Sequence, residues 1–223
     1  MTGKQTHILG VVSDVVCPWC YIGKHRLEQS LAIISNEMPR ARAKIQIEWL
    51  PFELNPGLPL NGMDRNDYCQ MKFGSLEYAN KLYSNVAANA RNDGLPINLE
   101  RISVTPNTRR AHRLIRLASK HALGDKMVDA LFQAYFVRGD DIGQVEVLIK
   151  LASEQGLDAR TVRNCLTAEQ ETAEFQTALE SAYESGTQGV PAFLWNNNYL
   201  LTGAQAPPTI AAVIKQQLEN AKF

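Results

Sequence analysis

Apolar and polar positions change their period several times along the chain, and each change marks an element. His7–Ser13 is a short run rich in Val and Ile and predicts a buried strand. Asp14 to Cys17 is a connection. Pro18 then opens a helix in which Ile22, Arg26, Leu27, Ser30, Leu31 and Ile34 form a mostly apolar stripe at helical spacing, ended by Met38-Pro39. Ile45, Ile47 and Trp49 alternate with Gln46, Glu48 and Leu50, a strand closed by Pro51. Strand, helix, strand is the order of a parallel βαβ unit. Asn55, Pro56, Gly57, Pro59, Asn61 and Gly62 then break the pattern and predict a boundary.

From Met63 to Ser185 the signals are almost entirely helical. Tyr78 and Leu82 share a face within 75–92. Ala111, Leu114, Ile115 and Ala118 fit the i, i+3, i+4, i+7 template within 107–122. Val128, Leu131, Phe132 and Tyr135 do so within 125–137, and Val145, Leu148, Ile149 and Ala152 before Gly156. Val162, Cys165 and Leu166 mark a short helix, and Phe175, Leu179 and Ala182 another. The irregular stretch 92–106 holds a short extended piece around 96–99.

A second breaker cluster follows: Gly186, Thr187, Gln188, Gly189 and Val190-Pro191. The segments 192–195 and 199–202, joined by Asn196, Asn197 and Asn198, predict a β-hairpin. Pro207 and Pro208 open a last helix over 209–220, with Ile210, Val213, Ile214 and Leu218 inward. The predicted fold is α/β: a mixed sheet of βαβ and ββα pieces, formed by 1–62 and 186–223 as one discontinuous domain, with 63–185 as an all-helical insertion.

Composition excludes some functions. Lys+Arg is 23 and Asp+Glu is 23, so the net charge is zero. A protein whose main task is gripping nucleic acid or anionic lipid needs a basic surplus, so neither is an expected partner. No stretch approaches the roughly 18 apolar residues of a membrane span. The N-terminus offers Lys4 and the short apolar run 8–12, less than a secretory h-region, and the expected compartment is the cytoplasm. There, a pair spaced as Cys17-Pro18-Trp19-Cys20 points to redox chemistry or metal before a structural bridge.

Position separates these readings. Pro18 suits the first helical position because its missing N–H is unbonded there anyway. That places Cys17 at the N-cap, facing the free amide groups of the first turn, which favour a thiolate over a thiol. The thiolate is the nucleophile of disulfide exchange. Cys20, one turn further in, is expected to be more buried and to resolve the mixed disulfide by attacking the sulfur of Cys17. A structural zinc site needs about four ligands. Cys69, Cys165 and the four histidines are scattered, so no metal is expected. Val190-Pro191 is the second constellation. A cis bond there would present the Val190 backbone for strand-like pairing with a bound peptide, and Pro191 would bring no N–H of its own.

Taken together, these motifs resemble a known family. Cys-Pro-Trp-Cys after the first strand, a helical insertion, Gly-Val-Pro-Ala-Phe at 189–193 and a C-terminal ββα resemble the DsbA-like branch of the thioredoxin superfamily. The run Ser-Asp-Val-Val-Cys-Pro-Trp-Cys-Tyr-Ile-Gly-Lys at 13–24, with Pro-Asn-Thr-Arg-Arg-Ala-His-Arg at 106–113, is most similar to its FrnE-like subgroup. The resemblance implies a thiol–disulfide oxidoreductase with Cys17 as nucleophile, Cys20 as resolving cysteine and Pro191 as the cis proline. The implied partners are protein or small-molecule thiols and disulfides. The resemblance implies no bound cofactor, with glutathione as a candidate co-substrate. DsbA carries Pro-His between its cysteines where this chain has Pro18-Trp19, so a strongly oxidising potential is not implied. The alternative is a glutathione-dependent transferase or isomerase of the kappa-class or hydroxychromene-carboxylate isomerase type. That branch shares the insertion and a stretch like Asn107-Thr108 but has serine in place of Cys17.

Other residues carry two readings each. Asp14 either takes protons near the thiols or caps its loop. Trp19 offers an apolar platform to substrate or packs on the insertion. Asn107 is an N-cap, and by the resemblance its helix borders the active-site groove. Trp19, Val190 and Asn107 are the candidate substrate-binding residues. Lys24 and His25 read as a solvated helix face, and His112 with Arg109, Arg110, Arg113 and Arg116 either as an ordinary charged face or as one that attracts an anionic substrate group or glutathione. Cys165 reads as core, while Cys69 has no evident role.

Overall fold

A run of β-branched residues feeding a helix, followed by an alternating strand, builds the first half of the sheet. The computed structural model describes residues 6–168, 173–184, 186–187 and 189–221. The expectations at Lys4, Ser185 and Gln188 fall outside these. Strand β1 (His7–Ser13) leads into helix α1 (Pro18–Glu37), and β2 (Ile45–Pro51) pairs with β1 in parallel, His7 opposite Ile45 and Ser13 opposite Pro51. In the second half, β5 (Ala192–Trp195) pairs antiparallel with β1, and β6 (Asn198–Thr202) antiparallel with β5. The sheet order is β2-β1-β5-β6. The expected mixed sheet is therefore present.

The hairpin turn rests on Asn196 and Asn197, both with positive φ (49° and 67°). Asn is among the few side chains that tolerate this backbone, and a tight two-residue turn requires it. Asn196 also ties the turn to β1: its Oδ1 accepts from Ile8 N–H at 2.9 Å, and its own N–H donates to the Ile8 carbonyl at 2.9 Å. Nearby, the His7 ring stacks on Trp195 with centroids 5.0 Å apart. Burial, with a smaller contribution from Lys44, lowers the His7 pKa.

The chain divides into two compact units. The first comprises Met1–Ser13, Trp19–Phe52 and Thr177–Phe223. It holds the four-stranded sheet, most of α1, the short helix α2 (Pro39–Arg42), most of α9 (Ala173–Glu184) and α10 (Pro207–Asn220). Val12, Leu50, Ala192 and Leu194 of the sheet pack with Ala182 of α9, and Phe52 and Val190 flank them.

The second unit comprises Asp14–Pro18 and Glu53–Gln176. It is built from α3 (Arg65–Phe73), α4 (Leu76–Asn92), α5 (Arg109–Lys120), α6 (Gly124–Phe132), α7 (Val145–Glu154) and α8 (Ala159–Thr167). Most apolar faces read from the sequence are buried: Leu114 and Ala118 of α5, Val128 and Leu131 of α6, Leu148 and Ala152 of α7, and Val162 of α8. The face of α4 is the exception, since Tyr78 is 53% exposed and the buried residues there are Ala79, Val86 and Ala90.

Four details differ from the sequence reading. The extended piece is not at 96–99, where Pro96 offers no N–H. Leu99–Arg101 is a 3-10 turn, and the strand is β4 (Val104–Thr105), two β-branched residues paired with β3 (Met63–Asp64). Pro39 stops α1 but opens α2, since proline is tolerated at a first helical position. For the same reason α10 begins at Pro207 rather than 209. The expected single helix over 125–137 is α-helical to Phe132 and then π-helical over Gln133–Arg138, ended by Gly139 at φ 77°.

Candidate active site

Asp14 to Cys17 forms a turn behind β1, closed by the Cys17 N–H donating to the Asp14 carbonyl at 3.0 Å. Pro18 is the first residue of α1, and Cys20 lies on its first turn. Cys17 is 5% exposed and Cys20 1%, so the order of accessibility is the one the spacing predicts. Trp19 is half-buried.

The turn is anchored through a carboxylate. Asp14 has no exposed surface. Its Oδ2 accepts from the Leu54 N–H at 2.8 Å, and its Oδ1 lies 3.3 Å from Nε2 of the buried His112. One helical turn earlier, Arg109 holds Glu53 with two bonds, Nε to Oε1 at 3.0 Å and Nη2 to Oε2 at 2.8 Å. Residues i and i+3 share a helix face, so α5 grips two acidic side chains in succession. Asp14 is thus a buried loop cap bound to histidine, and His112 is no part of an ordinary charged face. The neighbouring arginines reach main-chain oxygens: Arg110 donates to Gly143 at 3.4 Å and Arg113 to Ala168 at 3.1 Å.

Asn107 sits beside this anchor and is buried. Its Nδ2 donates to the Leu58 carbonyl at 2.9 Å, and its Oδ1 accepts from the Arg109 N–H at 3.1 Å. The residue in the N-cap position is Thr108, one later than expected, and Thr108 makes no side-chain cap bond. Asn107 therefore caps the first helical amide from one position further back.

The Val190–Pro191 bond is cis. Gly203 N–H donates to the Pro191 carbonyl at 2.7 Å, and the Thr202 hydroxyl donates to the same oxygen at 3.2 Å. Sequence reading missed what Pro191 packs on. A Cβ built on Gly23 of α1 would stand 2.7 Å from Pro191 Cγ, closer than real carbons approach. Only glycine lets the helix backbone meet the proline ring. In an ordinary helix interior, Gly→Ala stabilises by about 0.5–1 kcal/mol. Here, overpacking against a rigid ring costs about 1–3 kcal/mol, so it outweighs that gain. Gly23→Ala is expected to lower the melting temperature and, by displacing Pro191, to lower disulfide-exchange activity as well. A melting temperature at or above wild type would show that the contact relaxes freely.

Lys24 corrects the expectation of a solvated face: it is 3% exposed, with its ammonium on Glu28. His25 is half-buried and bonds Gln29 at 3.1 Å. Cys165 is half-buried rather than fully core, its thiol 3.9 Å from the Arg113 carbonyl. Cys69 is a free buried thiol packed with Leu58, Tyr68 and Ala79, so it does not pair with Cys165.

Residues 8–215 match the family model described as the DSBA-like thioredoxin domain. The chain belongs to the DSBA-like thioredoxin domain family. A relative from Bacillus subtilis (strain 168), the uncharacterized protein YwbO, is 30% identical over 190 residues, covering 82% of this chain and 84% of YwbO. Among solved structures, a probable DsbA oxidoreductase from Streptomyces coelicolor superposes with a TM-score of 0.84 at 28% identity, covering 94% of this chain and 89% of that one. A 2-hydroxychromene-2-carboxylate isomerase superposes with a TM-score of 0.68 at 16% identity, covering 96% and 98%. At that identity the likeness is one of fold. The DSBA-like family is one of thiol–disulfide oxidoreductases, and this chain shares its fold along nearly its whole length. Among the described residues, no helix is long and apolar enough to cross a membrane.

Proposed function

We propose that the protein is a dithiol–disulfide oxidoreductase working through Cys17 and Cys20. The observation that carries this reading is the placement of Cys17 at the mouth of α1, with Cys20 one turn inward and more buried. In the reducing direction for substrate, the Cys17 thiolate attacks one sulfur of a substrate disulfide. A Cys17–substrate disulfide forms, the substrate S–S bond breaks, and the other substrate sulfur leaves as a thiolate that takes up a proton. Cys20 then loses its proton and attacks the Cys17 sulfur. The Cys17–Cys20 disulfide forms, the second substrate thiolate leaves, and two electrons have passed to the substrate. Oxidation of a dithiol is the same path reversed.

Pro191 packs on α1 at Gly23, and Val190 precedes it across the cis bond. In this reading they meet the bound segment, with Trp19 as an apolar contact. Asn107 positions the start of α5, which in turn holds Asp14. Partners are protein or small-molecule thiols and disulfides, glutathione among them, in a reducing cytoplasm. The finer FrnE-like assignment rests on the motifs at 13–24 and 106–113. The proposed domain division is a discontinuous thioredoxin-like domain, 1–62 with 186–223, and a helical insertion, 63–185.

Equilibration with oxidised and reduced glutathione, followed by acid quench and peptide mapping, tests the pairing. The expected product is one intramolecular disulfide joining Cys17 to Cys20, with Cys69 unlinked. A fully oxidised sample lacking that link would overturn the reading. An isomerase that holds glutathione by contacts alone predicts no such link and activity in a Cys17→Ser variant.

A further inference from the structure

We infer that the second unit carries a separate binding cleft for a small organic monocarboxylate with an apolar body, with Arg65 holding the carboxylate. The cleft lies along α4 and the first turns of α3 and has a volume of about 400 Å³. That is within the range of small-molecule sites, roughly 300–1,000 Å³. Leu76, Asn80, Tyr83 and Ala87 of α4 recur every three or four residues, so a single helix face lines it.

Arg65 is the reason to expect an anion. Its guanidinium lies 4.5 Å from the Tyr83 ring centroid and 5.7 Å from that of Tyr68, and donates to the Thr105 hydroxyl at 3.2 Å. Arg65 is partly buried, and among the described residues no carboxylate pairs with it. Burial pushes the Tyr83 phenol up to about 12 and also raises that of Tyr135, so neither supplies a negative charge near neutral pH. A partly desolvated cation without a counter-charge is unusual, and its planar fork matches a carboxylate.

The rest of the cleft narrows the ligand class. Leu76, Leu99 and Ile102 offer apolar surface and Asn80 a side-chain amide, while the Ser84 hydroxyl donates to the Asn80 carbonyl at 2.8 Å. Glu100 also borders the cleft, so a dianion such as a phosphate ester meets repulsion that a monocarboxylate meets less.

The probe is 4-fluorobenzoate, followed by fluorine NMR on the full chain, with neutral 4-fluorobenzamide as its control. Saturable binding of the acid is expected, with the amide at least about tenfold weaker. Arg65→Met should weaken the acid by about tenfold and leave the amide unchanged. Ser84→Asp places a negative charge on an exposed rim residue, weakens the acid in the same sense, and decides the matter if Arg65→Met does not fold. Disulfide exchange should be unchanged in both variants, which separates this cleft from the Cys17 chemistry. Absence of saturable binding, equal binding of acid and amide, or acid binding unaffected by the folded variants would overturn the proposal.

Discussion

Cys17→Ser is expected to reduce disulfide exchange to background, a loss of about a thousandfold or more, the scale on which enzymes lose rate when a nucleophile is removed. The serine hydroxyl is not ionised near neutral pH and forms no disulfide, so neither half of the exchange remains. The substitution exchanges one atom of similar size at a site 5% exposed, so the fold should be retained and the melting temperature nearly unchanged. That combination separates a chemical role from a structural one. Cys69→Ser and Cys165→Ser should exchange disulfides at wild-type rates, because neither thiol stands at a helix mouth behind β1. A Cys17→Ser protein that still turns over a disulfide would place the chemistry on another thiol.

The second large effect is one of stability. Asp14→Ala removes the acceptor of the Leu54 amide and the partner of His112 at a site closed to solvent. Breaking a buried pair on one side costs about 3–5 kcal/mol, because the Leu54 amide loses its acceptor and His112 loses its carboxylate away from solvent. For a chain of this length, the melting temperature should fall by about 6–20 °C. Asp14→Asn keeps an oxygen for Leu54 N–H and should cost less. An ordinary exposed loop cap would cost only about 1 kcal/mol. A fall of 3 °C or less, by the same conversion, would return Asp14 to that role. Exchange should slow in Asp14→Ala as well, since the Asp14 side chain anchors the turn that presents Cys17.

Local signals made much of this fold legible. Alternation at Ile45, Ile47 and Trp49 marked β2, the Asn pair at 196–197 marked a turn only a few side chains accept, and Pro18 marked where α1 begins. The two thiols were legible for the same reason: their spacing and the proline between them are local. What escaped was long-range. Asp14 meets His112 across 98 residues, and Glu53 meets Arg109 across 56. One sequence carries no signal of such a pairing beyond an acidic residue in an apolar stretch, as Ser13-Asp14 is between Val12 and Val15. Gly23 escaped because a helix pattern treats glycine as a weak position, whereas here its missing side chain is what Pro191 requires. Lys24 looked solvent-facing because charge alone does not reveal that its stem is buried. Val104–Thr105 is too short for alternation to register, and it becomes a strand only by pairing with Met63–Asp64.

If one sulfur attacks and its neighbour releases the product, a Cys20→Ser variant separates the two steps, because the attack proceeds and the release does not. Incubated with glutathione disulfide, quenched in acid and mapped by mass spectrometry, that variant should carry a single glutathione on Cys17 that persists where the wild type sheds it. Glutathione on Cys69 or Cys165 with Cys17 unmodified, or a wild type that accumulates the adduct as fully as the variant, would show that Cys17 does not attack or that Cys20 does not release.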